Sequence, residues 1–320
     1  IIWHGGEVHF DTKVIDFIID NDVCKGVVTA DEKEFVGESV ILATGHSARD
    51  IYELCYKKGI LIEAKPFALG VRIEHNQDLI DELQYRQNPR EDGLPAASYA
   101  LKCQVDKKGV FSFCMCPGGI IVPAATAPGE IVVNGMSLSK RDSPYSNSGF
   151  VTSVDQDQYQ SLIKSHGPLA ALEFQKQIEQ NVFNHGDGSQ SAPAQRLIDF
   201  VEGKVSQDLP DTSYIPGVHP GDMNEILPPY ISHNLKEALK VFGTKMKGYL
   251  TNNAQIVATE SRTSSPVRIP RDKESGEHIK TKRLFPCGEG AGYAGGIMSA
   301  AMDGMNMATA AVNAYFKNKH

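Results

Sequence analysis

One stretch of the sequence has residue types and spacing suited to holding a dinucleotide: Gly288-Glu289-Gly290-Ala291-Gly292-Tyr293-Ala294-Gly295-Gly296. Gly290, Gly292 and Gly295 satisfy G-x-G-x-x-G between an apolar run at 283–287 and an Ala- and Met-rich run from Gly296 onward. Glycines let a backbone turn tightly and approach a phosphate or a ring, and a helix start offers free N–H groups and a positive dipole end. An adenosine-binding Rossmann unit also needs an acid about 20 residues further on for a ribose. The tail from Asn313 to His320 holds none. The turn is therefore expected to be a second contact on an extended ligand, with a tight helix–sheet packing turn as the alternative.

A second candidate lies near the other end of the chain. Val40-Ile41-Leu42-Ala43-Thr44-Gly45 is an apolar run closing on Ala-Thr-Gly. Apolar at every strand position, it predicts a strand buried on both faces, with its turn at the carboxyl edge where open α/β sheets bind ligands. His46 follows directly and is a candidate acid or base. Glu260-Ser261-Arg262-Thr263-Ser264-Ser265-Pro266-Val267-Arg268 carries two arginines and four hydroxyls in nine residues. That composition suits a carboxylate, a phosphate or a polar ring edge, or a hydroxyl-capped loop with surface arginines. Arg262, Thr263, Ser264, Ser265 and Arg268 are the substrate-binding candidates, and His46 and Arg262 the catalytic ones. Cys114 and Cys116 form a C-x-C. Residues two apart on a strand share a face and seldom reach disulfide geometry, so two buried structural thiols are expected, with redox chemistry as the alternative. No second Cys/His pair stands at ligand spacing, so no metal site is expected. His219, in a Pro-rich loop, reads as structural.

Stepping outward, the elements that must position these residues follow from pattern. Residues 14–19, 23–29 and 33–36 are short β-rich runs separated by Asn/Asp clusters, an antiparallel meander. A short helix is expected at about 50–58. From residue 65 the texture changes: strands at 67–73, 109–115, 119–122 and 130–134, and helical periodicity at 79–85, 156–164, 169–183, 194–201 and 232–242. Strands are expected again at 249–260 and 265–269, then a polar hairpin at 271–282. The final helix, from Gly296 to about Tyr315, is apolar nearly all round and is expected to be buried. The fold class expected is α/β with an α+β insert: a partial Rossmann-like domain from 1–64 and 256–320, interrupted by a mixed α+β domain at 65–255.

Composition narrows the function classes. The chain has 320 residues, 41% hydrophobic and 22% charged, with a net charge of −7. The acidic balance argues against nucleic acid as a partner, and no apolar run approaches the roughly 18 residues of a membrane helix. Six scattered cysteines do not make a disulfide scaffold, so a reduced cytoplasmic setting is expected. The chain opens on Ile1-Ile2-Trp3-His4-Gly5-Gly6, without an initiator Met, and reads as a fragment.

The order meander, ATG strand, inserted domain, strand and glycine-rich helix start resembles flavoproteins with a glutathione-reductase-like FAD fold. More closely, ATGHSARD (Ala43 to Asp50), FCMCPGG (Phe113 to Gly119), NGMS (Asn134 to Ser137), ESRTSSPVRI (Glu260 to Ile269) and the C-terminal run resemble the uncharacterised FAD-dependent dehydrogenase family, over essentially the whole chain. The resemblance implies a flavoprotein oxidoreductase passing hydride between FAD and a small organic substrate held between the flavin and the inserted domain. It implies cofactor contacts at Ala43, Thr44, Gly45, Gly288, Glu289, Gly290, Gly292, Tyr293, Ala294, Gly295, Gly296 and Ile297. Glu289, where the wider superfamily has Asp, would face the ribityl–pyrophosphate region, and Ala294 to Ile297 the pyrimidine end. The family's first FAD motif, a strand–GxGxxG–helix unit, has no counterpart here. FAD is accordingly expected for the parent protein, with weak or no binding by this chain, self-association through the exposed sheet, and an unidentified electron donor. The alternative is a flavin-incompetent module that binds a ligand or partner.

Overall fold

A computed structural model describes residues 1–317 and resolves two compact units, each assembled from separated stretches of chain. The first comprises Ile1–Lys65, Ile163–Leu172 and Ser264–His320, the second Pro66–Leu162 and Glu173–Thr263. The return of the chain, expected at 256, falls at 264. Strand Gln255–Glu260, buried at every position, is an interior member of the second unit's sheet.

In the first unit the meander forms as expected from Val14–Asp20, Val23–Thr29 and Glu34–Val36. Asn21 and Asp22 both have positive φ (48° and 63°), the left-handed pair that a two-residue hairpin turn needs. Helix Arg49–Lys57 buries Ile51, Tyr52 and Cys55 in a core that includes Phe17, Cys24, Leu42, Leu284 and Ala291. Burial raises the Cys55 thiol to about 12, so it is an inert core group. Val40–Leu42 runs parallel to Leu284–Pro286, and among the described residues each is the other's only strand partner. A strand buried on both faces was expected. Instead it forms a two-stranded pair, tied to the meander through a bridge between Lys282 and Val23, and Ile41 is 41% exposed. The final helix, Ile297–Lys317, also departs from expectation. It buries Asp303, Met307 and Ala311, while Ile297, Met298, Met302, Met305, Val312 and Phe316 are exposed. Its Ala/Met composition therefore marks a helix covered on one narrow stripe.

The second unit is built on a seven-stranded sheet, in the order Val218–Pro220, Ala192–Arg196, Gln255–Glu260, Phe67–Asn76, Tyr145–Val154, Lys108–Cys116 and Lys102–Val105. Only the first two strands pair parallel. The last three residues of Ala192–Arg196 fall within the helix expected at 194–201. The strand's pairing on both sides overrides local propensity, and the helix is confined to Leu197–Glu202. The central pair is in register from Tyr145↔Asn76 to Val154↔Phe67. Helix Pro229–Lys245, started by a proline in its first turn, buries Leu235, Leu239 and Phe242. Phe242 packs its ring 5.5 Å from that of Phe150 on the sheet. Each such side chain contributes about 1.5–3 kcal/mol by leaving water.

His75 closes the strand Phe67–Asn76 and gives this unit a pH dependence. Its Nε2 donates to the Tyr249 carbonyl at 2.8 Å, its Nδ1 is buried without a partner, and its ring lies 4.5 Å from that of Tyr249. Burial holds its pKa down to about 4. In the unfolded chain the value is about 6.5, so between the two the unfolded state binds the extra proton. Stability is expected to fall as pH drops from about 6.5 toward about 4, by up to about 3 kcal/mol. Denaturant midpoints at about pH 7 and pH 5 check this, and His75→Gln should flatten the difference.

Candidate functional site

The parallel pair carries both glycine motifs to one place. At the carboxyl end of Val40–Leu42 the backbone continues through Ala43 and Thr44, both exposed, to Gly45 at φ 74°. At the end of Leu284–Pro286, the Cys287 amide donates to the Leu42 carbonyl at 2.9 Å and Gly288 turns at φ 75°. The two turns then touch. A Cβ on Gly290 would stand 2.4 Å from the Gly45 carbonyl oxygen, 2.6 Å from its carbon and 3.0 Å from its nitrogen. Only glycine fits there, because everything it would strike is backbone.

Several side chains fix this arrangement. The Tyr52 hydroxyl donates to the Gly290 carbonyl at 2.8 Å and lies 3.1 Å from Ser265 Oγ, which donates to the Val267 carbonyl at 2.7 Å. Burial pushes the Tyr52 pKa up, so it acts as a neutral donor. Asp303, on the final helix, accepts from the Gly288 amide at 2.7 Å and pairs with Arg271, whose Nη1 also donates to the Pro286 carbonyl at 2.7 Å. The Arg271 hydrogen bonds hold the Asp303 carboxyl below its usual range. The Tyr293 hydroxyl accepts from the Arg271 amide at 2.9 Å, and the guanidiniums of Arg271 and Arg268 lie 3.8 and 5.0 Å from the centre of its ring. Tyr52 and Asp303 were not picked out from sequence as site residues, and Arg271 only as one of a cluster of basic residues that could hold an anion. The contacts that tie them to the turn span from 15 to 238 residues of chain, which gives no local signal.

Beyond this clamp the turn opens. Gly288, Gly290 and Gly292 are buried, Gly295 is exposed, and a Cβ on Gly295 or Gly296 would meet nothing within 4 Å. The Gly295 amide donates to Ser299 Oγ at 3.2 Å, and the helix begins at Ile297, 90% exposed. Glu289 is half-exposed, with Oε1 3.2 Å from His46 Nδ1. That is ion-pair range without hydrogen-bond geometry, since His46 Nδ1 completes no hydrogen bond. A groove of about 870 Å³ lies elsewhere, lined by Val23, Lys282, Arg283 and Phe316 among others, and contains none of the glycine turn.

The remaining candidates separate. Arg262 belongs to the second unit and is 7% exposed. Its Nε and Nη2 donate to Glu179 at 3.2 and 2.9 Å, Nη2 to Glu130 at 3.0 Å, and Nη1 to Thr126 at 2.6 Å. Thr263 is buried in the same unit. Ser264 and Ser265 lie in the first unit, with Ser265 engaged in the turn, and Arg268 is exposed. His219 places Nδ1 3.1 Å from Ser191 Oγ.

Sequence motifs also converge on Arg72, which is fully buried. It donates to Glu260 at 2.6 Å, to Asn134 at 3.1 Å and to the Cys114 carbonyl at 2.6 Å, and lies 3.9 Å from Cys116 Sγ. Two buried thiols were expected here. Cys116 is buried, but Cys114 is exposed at φ 42°, because the register slips between Asn147 and Gly149 and a bulge breaks the strand's alternation. No disulfide and no cluster able to hold a metal occurs among the described residues.

The second unit coincides almost residue for residue with a known family: residues 66–263 match FAD-dependent protein, C-terminal domain-like. The chain belongs to that family. It is also 42% identical over 308 residues to an "Uncharacterized protein" of Clostridium beijerinckii, covering 95% of this chain and 57% of that protein. The chain thus spans little more than half the length of this relative. Membership in the FAD-dependent family associates the chain with flavin. Among the described residues no helix is long and apolar enough to cross a membrane.

Proposed function

We propose that the chain is part of an FAD-dependent oxidoreductase in which the first unit contacts the flavin half of the cofactor. Support comes from the meeting of the Ala-Thr-Gly turn and the glycine turn, through Gly45 and Gly290, at the start of a 21-residue helix. The residues fit the group. Gly295 and Gly296 leave open space at a helix N-terminus, where the amides and dipole favour an electron-rich ring edge. When bound, FAD would accept or give hydride for a small organic substrate. The chain's own part is placement: Tyr52 and Asp303 hold the turn rigid, Glu289 presents a carboxylate at its mouth, and His46 beside it is placed to hold or pass a proton.

Titration of the chain with FAD and with riboflavin tests this reading. A shifted visible flavin band with quenched fluorescence is expected, weaker than in a longer family member, and bleached by dithionite. Flavin spectra that stay those of free solution at saturating protein overturn it.

A further inference from the structure

Lys65 and Arg268 are two cations that flank the glycine turn at Gly292. Strand Val267–Arg268 pairs antiparallel with Glu63–Ala64, and the Lys65 amide continues the ladder by donating to the Pro266 carbonyl at 2.8 Å. Gly292, at φ 81°, packs into the angle between them. A Cβ there would stand 3.3 Å from both Lys65 Cδ and Arg268 Cα. Among the described residues neither side chain has a carboxylate within ion-pair distance. Arg271, on the same ring of Tyr293, is by contrast neutralised by Asp303. Lys65 is half-buried, and burial together with the Arg268 charge lowers its pKa, while Glu289 attracts it only from beyond contact.

The two like charges are near enough for Arg268 to disfavour the charged form of Lys65, whose stem lies beside the buried Gly292. Such a pair gains from a ligand that supplies negative charge to both. Arg268 offers a planar fork suited to two oxygens, steadied by the Tyr293 ring, and Lys65 offers a compact point charge. We propose that Lys65 and Arg268 form an oxyanion subsite beside Gly292, taking a carboxylate or phosphate group of a bound small molecule. The subsite stands on the chain's own residues and does not require that flavin bind.

Calorimetric titration of the chain at low ionic strength with inorganic pyrophosphate and with succinate tests the assignment. Saturable binding of at least one is expected, weakened tenfold or more in Lys65→Met and in Arg268→Gln, with thermal unfolding unchanged and riboflavin binding retained. Tighter pyrophosphate binding assigns the subsite to a phosphate source, and tighter succinate binding to a substrate carboxylate. In the unsubstituted chain, the bound anion should also slow reductive methylation of Lys65, a readout independent of how the variants fold. Absence of saturable binding, or affinity undiminished in both variants, overturns the proposal. A loss of riboflavin binding with anion binding intact would instead count against the flavin reading alone.

Discussion

Replacing Arg72 with methionine is expected to destabilise the protein by about 3–5 kcal/mol, because it breaks the buried ion pair between Arg72 and Glu260. Arg72 is fully buried and Glu260 2% exposed, so water cannot replace the lost partner. The same guanidinium joins Asn134 and the Cys114 carbonyl, so one substitution loosens three strands and the bulge together. A denaturant-unfolding series measures the loss, and a shift under about 1 kcal/mol would contradict it. Arg72→Met combined with Glu260→Met should recover much of the loss. Removing both charges removes the desolvation cost as well as the attraction.

The second large effect is expected at Gly290. Valine there places its Cβ against the Gly45 carbonyl, and the two turns must separate. About 3 kcal/mol of stability should go with the contact, as in overpacked cores, and the flavin response should disappear. Gly295→Ala is the matching control. Its added methyl meets nothing within 4 Å, so stability should stay within about 0.5 kcal/mol of the parent. Unfolding midpoints for the pair of variants, read beside their flavin titrations, check both statements. Equal stability in the two would remove the steric account of Gly290.

Much of the local frame was legible in the sequence. The meander, the Val40–Leu42 strand and the Leu284-to-helix turn follow from apolar runs bounded by Asn, Asp and Gly, which act over short range. The neighbours of those elements were not legible. Whether Ile41 is covered depends on which strands flank it, and no residue of its own run specifies that. Strand Tyr145–Val154 escaped notice for the opposite reason. Ser146, Asn147, Ser148 and Thr152 give it the composition of a loop, yet it lies at the centre of the sheet with those side chains buried. Its place is set by ten consecutive pairings with Phe67–Asn76 and by partners such as the Tyr99 hydroxyl, 2.8 Å from Ser148 Oγ. The arginine-rich segment divided likewise. Composition marked Arg262 and Arg268 alike, and only the fold committed the first to Glu130 and Glu179 and left the second open.

The pairing of Val40–Leu42 with Leu284–Pro286 also constrains when the protein can acquire its glycine site. The strands lie roughly 240 residues apart in the chain, and contacts of that span close late, after more local ones. Phe67–Asn76 and Tyr145–Val154, roughly 70 residues apart, can join much sooner. Among the described residues Val40–Leu42 has no other strand partner, so this apolar run waits unpaired while the roughly 240 residues up to its mate are made. Until then residues 40–42 are an unpaired apolar segment of the kind that chaperones cover. A ribosome-stalled chain ending before Leu284 would carry that segment bare.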